Sequence, residues 1–430
     1  RGFIRQRHPD VSHRNLEGTN FVIMTIHAPL HESDHPLLTW DEGETTYSCR
    51  WRSEKGSPPP KKLIIADDTL TADEAYRLAC EGTGIIWRGD FQNAKQLLQA
   101  LTRRADKPSK KSVRKKPSKR TPEEGLIPLA KPMSEIFHLH RQAQSQKSRT
   151  LGMLLIQFNP DHSIPLRRAP DVTQACLAVY GKVTEPYVTS LRDLLGFIGS
   201  LEWRKNGMAI PALKDMGDGH IHPHYGVFAP VRSEYLGLLE KAPLPAETTN
   251  NSLAFDIGTG TGVLAAVLAK RGIQKIIATD QDERAIECAT ENIEGLGIKK
   301  NVKLIKTNLF PEGKAPLIVC NPPWIPARPS SPIEYAVYDP DSQMLKGFLA
   351  GLKDHLSTNG EGWLILSDLA EHLGLRTKAE LLSWIEASGL KVIERLDIRP
   401  THKKALDQTD PLYRARAAEV TSLWRLTVSN

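Results

Sequence analysis

From Leu253 onward, short apolar runs alternate with stretches in which apolar residues recur every three or four positions, the pattern of strands interleaved with amphipathic helices. The runs predict strands at Leu253–Ile257, Ile276–Thr279, Val302–Ile305, Pro316–Cys320, Trp363–Ser367, Val392–Ile398 and Thr421–Val428. Between them the spacing predicts helices at Val263–Arg271, Glu283–Glu294, Ser342–Leu356 and Thr377–Ser388. Alternation at this spacing implies an α/β unit with a largely parallel sheet and helices on both faces. Ligands of such sheets bind at the carboxyl ends of the strands.

The first half is less regular. Leu63–Ala66 and Ile85–Trp87 read as strands, each followed by a helix, the first opened by Thr71 with Asp73 and Glu74 in its first turn. Further on, Leu151–Phe158 reads as a strand, whereas Val172–Tyr180 and Tyr187–Glu202 have helical spacing. The expected organisation is therefore an extension at residues 1–23, a small α/β module at 24–102, a linker at 103–125, a helical, substrate-selecting subdomain at 126–224 and the α/β unit at 225–430.

Charge sharpens one of these boundaries. Between Arg103 and Arg120 stand ten basic side chains and one acid, Asp106, a local charge of +9 against +7 for the whole chain. Such a run cannot pack and reads as a disordered linker, with the capacity to meet nucleic-acid phosphates. At 430 residues the chain has room for two domains. No stretch is long and apolar enough to suggest a membrane span, and the five scattered cysteines have neither zinc-site nor disulfide spacing, so a reducing, cytoplasmic setting without membrane contact is expected. His220, His222 and His224 alternate but have no acid or thiol nearby at ligand spacing, and no metal site is assigned.

Three motifs carry the chemistry. At the first strand-to-helix turn stand Asp256-Ile257-Gly258-Thr259-Gly260-Thr261-Gly262, where glycines let backbone approach a ligand. Val263 occupies the place a dinucleotide fingerprint reserves for glycine, and the Asp256 carboxylate suits an ammonium better than a pyrophosphate. Asp280, 24 residues further on, closes the second strand where a carboxylate can accept both ribose hydroxyls. Asn321-Pro322-Pro323-Trp324 follows the fourth strand; two prolines fix the direction in which the chain leaves the sheet and free carbonyls to accept hydrogen bonds. Alone, that run could be a simple strand-ending turn.

Together the three motifs resemble class I S-adenosylmethionine-dependent methyltransferases, and the Asn-Pro-Pro-Trp run is similar to that of N-methyltransferases acting on planar nitrogens, the release-factor glutamine and adenine-N6 methyltransferases. The resemblance covers about residues 220–430 and implies a Rossmann-like methyltransferase sheet with S-adenosylmethionine as cofactor. It implies a cofactor site built from Phe228 and Pro230 as walls, Asp256, Gly258, Gly260 and Gly262 at the turn, Asp280 at the ribose, Asn308 at the adenine, and Asn321 bordering cofactor and substrate. Relatives often carry Asp where Asn308 stands, and its side-chain oxygen can still accept from an adenine amine. On this reading Asn321 and the Pro322 carbonyl accept the two N–H bonds of a planar acceptor while Trp324 stacks on it.

The expected target is a glutamine side chain in a protein of the translation machinery. An adenine in RNA, less so in DNA, is the alternative that the basic run favours, although no zinc knuckle or aromatic RNA-binding strand accompanies it. A cofactor-binding regulator without turnover is a third reading.

Overall fold

The structure, a computed structural model, describes residues 34–107, 131–250, 252–330, 332–400 and 407–429. The 1–23 extension and most of the basic run lie outside them.

The second half forms a seven-stranded sheet. Its strands are β9 (Leu253–Ile257), β10 (Lys275–Asp280), β11 (Val302–Lys306), β12 (Ala315–Cys320), β13 (Leu356–Ser367), β14 (Leu390–Ile398) and β15 (Thr421–Val428), in the order β11-β10-β9-β12-β13-β15-β14. All run parallel except β15, which is antiparallel to both neighbours. The apolar run of β12 is buried at every position, as a central strand covered on both faces must be. Pro316 is tolerated there because the register with β13 shifts between Ala315 and Leu317, where a missing N–H breaks no ladder bond. On one face pack Val263–Lys270 and Glu283–Gly295, on the other Gln343–His355 and Lys378–Ala387, giving two separate apolar layers.

The first half departs from expectation. The module at 24–102 and the subdomain at 126–224 are not separate bodies: they share a six-stranded sheet of order β1-β2-β6-β5-β4-β3. Its strands are β1 (Leu37–Glu42), β2 (Thr45–Trp51), β3 (Lys62–Ala66), β4 (Thr83–Trp87), β5 (Leu154–Phe158) and β6 (Tyr187–Ser190). The reason is packing: Ile85 and Ile86 of β4 pair with Leu154 and Leu155 of β5, and these side chains fill both faces of one sheet. The subdomain is thus not purely helical, and Tyr187–Ser190 is a strand rather than the first turn of a helix. Ser190 caps the helix that follows, accepting from the Asp193 N–H at 3.0 Å.

The helices here are α1 (Ala72–Cys80), α2 (Phe91–Ala105), α3 (Met133–Leu151), α4 (Thr173–Tyr180) and α5 (Leu191–Asn206). The second carries Arg103 and Arg104 in its last turn, so the basic linker begins later than the charge run suggests. In the second half, α6 (Glu234–Lys241), α7 (Val263–Lys270), α8 (Glu283–Gly295), α9 (Gln343–His355), α10 (Lys378–Ala387) and α11 (Tyr413–Ala418) complete the set used below. A short pair, β7 (Met208–Ala209) and β8 (His220–Ile221), joins the halves.

Candidate functional site

Strand order gathers the three motifs. β9 lies between β10 and β12 and all three run parallel, so the glycine turn after Ile257, Asp280 at the end of β10 and Asn321 after β12 emerge along the same sheet edge. At the turn, Gly258, Gly260 and Gly262 have φ of 71°, 54° and 81°, the left-handed region that a side chain resists. A Cβ on Gly262 would stand 3.3 Å from that of Ala289 in α8, so glycine also allows the turn to sit close to that helix.

Asp256 is fully buried. Its Oδ2 accepts from the Thr259 hydroxyl at 2.6 Å and from the Ala265 N–H at 3.1 Å, while Oδ1 has no partner. Burial raises its pKa to about 7, against the pull of those two hydrogen bonds. An orphaned buried carboxylate oxygen beside a glycine turn is a place for a donor, best a cationic one. Asp280 is anchored through both oxygens, Oδ2 by the Gly260 N–H and Oδ1 by the Asp282 N–H, each at 3.0 Å. Burial lifts its pKa too. Each oxygen keeps a second lone pair, so the carboxylate is aimed without being used up.

Asn308 is exposed just beyond β11, and Leu309 beside it adopts φ 62°, held by the Thr279 hydroxyl on its carbonyl at 2.6 Å. Phe228 is exposed and Pro230 buried in the segment ahead of α6.

In the Asn-Pro-Pro-Trp run, Pro322 is buried and the other three residues half-buried. The Trp324 indole N–H donates to Asn321 Oδ1 at 2.9 Å. The Tyr235 phenol of α6 hydrogen-bonds Asn321, and its ring meets Trp324 edge-on at 6.4 Å. Arg232 covers the indole at 5.4 Å and pairs with Glu419 Oε1 at 2.9 Å, which also accepts from Ser367 at the end of β13. Tyr235 and Arg232 carried no signal in the sequence: one looks like a core aromatic of an amphipathic helix, the other like a surface charge.

His220 and His222 share Asp218 as a partner, and His224 turns elsewhere. His222 joins the Arg204 carbonyl and Asp218, and His224 joins Glu291. Among the described residues no cluster has the makings of a metal site, and no described helix is long and apolar enough to cross a membrane. A surface cavity of about 340 Å³ between Leu201, Arg204, His222 and Asn292 shares no residue with the motifs.

The family model for ribosomal protein L11 methyltransferase matches residues 236–324, from α6 to the tryptophan of the Asn-Pro-Pro-Trp run. A ribosomal protein L11 methyltransferase of Thermoanaerobacter pseudethanolicus is 42% identical over 72 residues, 16% of this chain and 23% of its own length. One from Pelotomaculum thermopropionicum is 39% identical over 88 residues, 20% of this chain and 27% of its own. The chain thus spans about a quarter of the length of these curated relatives. Among solved structures, a ribosomal protein L11 methylase of Lactobacillus delbrueckii subsp. bulgaricus is 20% identical, covers 49% of this chain and 86% of its own, and superposes with a TM-score of 0.32.

Proposed function

We propose that the protein is an S-adenosylmethionine-dependent N-methyltransferase whose substrate is a protein of the translation machinery, with a glutamine side chain as the favoured acceptor. The observation that carries this reading is the convergence of the Asp256 turn, Asp280 and Asn321 on the ends of three neighbouring parallel strands. The names of the curated relatives favour a ribosomal protein over RNA.

The residues present fit the cofactor. The unpartnered Asp256 Oδ1 suits its ammonium, the positive-φ glycines bring backbone within reach, and the anchored Asp280 suits its ribose hydroxyls. When bound, S-adenosylmethionine would supply an electrophilic methyl group, its sulfur leaving as a neutral thioether and the methylated nitrogen releasing its proton to water. Asn321 and the Pro322 carbonyl accept the N–H bonds of the acceptor and turn its lone pair toward that methyl. Asn321 Oδ1 retains one lone pair after receiving the Trp324 N–H. A carboxamide nitrogen is a poor nucleophile because its lone pair is delocalised, so orientation and fixed dipoles do the work. Trp324, half-buried with Arg232 over its indole at 5.4 Å, offers the planar acceptor a ring to stack on.

The test is to incubate the protein and methyl-labelled S-adenosylmethionine with an extract of cells lacking it. Label in a protein band, mapping to glutamine, is the expected result. Label in RNA overturns the protein target, and cofactor binding without any label overturns turnover.

A further inference from the structure

We propose that Arg141, on α3 in the first half of the chain, is a positioning residue that sets the shape of the loop framing the methyl acceptor; the proposal rests on the site assignment made above.

The loop begins directly after Trp324, four residues beyond the end of β12, and returns at Asp339. Its ends are pinned by backbone: the Asp339 N–H donates to the Ile325 carbonyl at 2.9 Å, and Ile325 bridges Tyr338 as in a short parallel pair. Its crown is held from outside by one guanidinium. Arg141 Nη1 donates to the Arg328 carbonyl at 2.7 Å, and Nη2 donates to Ser330 Oγ at 2.9 Å and Glu334 Oε2 at 3.1 Å. Its Cζ sits 4.0 Å from the centre of the Tyr338 ring. Glu334 Oε2 also receives the Ser330 N–H at 2.7 Å, closing the network within the loop.

A planar fork with five donors can serve a carbonyl, a hydroxyl and a carboxylate while stacking on an aromatic face; a lysine ammonium cannot. The side chain is only 17% exposed, which strengthens its bonds relative to a surface ion pair. Next to it, Phe137 of α3 is buried against Ile325 in a cluster that also takes in Ala327 and Tyr338. The same loop exposes Tyr335 and Val337 by nearly half, a surface an incoming protein would touch. Arg141 therefore fixes the crown between those pinned ends, and with it the presentation of these two side chains.

The test compares the unaltered protein with Arg141→Ala, Arg141→Lys and Glu334→Ala. It reads cofactor affinity, methyl transfer to whichever extract macromolecule the unaltered protein labels, and amide hydrogen exchange. For Arg141→Ala we expect exchange in residues 326–339 to accelerate at least tenfold, transfer kcat/KM to fall at least tenfold chiefly through KM for the acceptor, and cofactor Kd to stay within twofold. Arg141→Lys, which keeps the Glu334 pair but not the stacked fork, should recover part of the loss, and Glu334→Ala should lose less than Arg141→Ala. Faster exchange spread evenly over α3 and the β9–β15 sheet, or a loosened loop with unchanged transfer, would overturn the proposal. Label entering RNA instead of protein would sink the protein-substrate reading while leaving the same comparison to decide the role of Arg141.

Discussion

Asp256 and Trp324 each do something that residue type alone does not announce. The Asp256 carboxyl, held near a pKa of 7 by burial, keeps a proton in the folded chain that the unfolded chain has lost between about pH 4 and pH 7. It therefore subtracts stability progressively as pH rises through that window, and by a constant amount above it. A bound ammonium favours the ionised form and reverses the sense for the ligand. S-adenosylmethionine affinity should rise roughly tenfold per pH unit below about 7 and level off above it. Calorimetric titrations from pH 5.5 to 8.5 would show this, and Asp256→Asn should flatten the profile; an unchanged slope in that variant would remove Asp256 from the site. Trp324 holds the Asn321 amide through its indole N–H, and on the proposed function it also offers a ring to the acceptor. Trp324→Phe keeps the ring and deletes one hydrogen bond, about 1 kcal/mol, so transfer should drop several-fold with cofactor affinity intact. Asn321→Ala should abolish transfer with the same affinity. Loss of cofactor binding together with transfer in Asn321→Ala would mean that the run is a structural turn.

The central strands of the second sheet were legible in the sequence because they are largely buried on both faces and so appear as apolar runs; β9, β10 and β12 lie where the pattern puts them. The glycine turn was legible for a related reason. Its φ values are ones that only glycine takes without strain, and Gly262 packs against α8 as well. Gly262→Ala should accordingly cost about 1 kcal/mol or more and weaken cofactor binding, read as a lower Tm and a higher Kd; a variant with unaltered Kd would show that the turn does not touch the ligand. Other elements escaped for physical reasons. The β1–β2 hairpin packs Leu38 and Trp40 with Cys49 and Trp51 about a positive-φ Gly43, but Thr, Asp, Glu, Ser and Arg interrupt the two strands, so neither shows an apolar run. In α3 only Phe137, Thr150 and Leu151 are buried, so there is little apolar periodicity to read. β6 runs without a break into α5, and the Ser190 cap is the one mark of the junction. The partners of Asn321 and of the loop after it, Tyr235, Arg232 and Arg141, come from elements distant in sequence, and no local pattern could announce them.

Contacts between the two halves fall at two places that bear on the site. Along α8, Glu54 pairs with Arg284 in the first turn at 3.0 Å and Arg204 with Glu291 further along at 2.6 Å, and nearby Phe197 meets Tyr225 edge-on at 5.1 Å. These ion pairs are partly exposed and worth little individually. Beside the loop after Trp324 the contact is apolar: Phe137 of α3 is buried with Ile325, Leu373, Leu412 and Ala415, which come from three connections at the carboxyl side of the second sheet. The halves should therefore unfold together, with the apolar cluster supplying most of the coupling. Phe137→Ala removes a buried aromatic at a cost of about 3 kcal/mol or more, and that cost falls on the contact rather than on either sheet. Scanning calorimetry should show one transition for the unaltered chain and two for the variant, the sheet of β9–β15 retaining S-adenosylmethionine-dependent stabilisation in its own transition by ligand linkage. A single transition merely shifted downward would place Phe137 in an ordinary core, and the coupling of the halves would then rest on the polar contacts along α8.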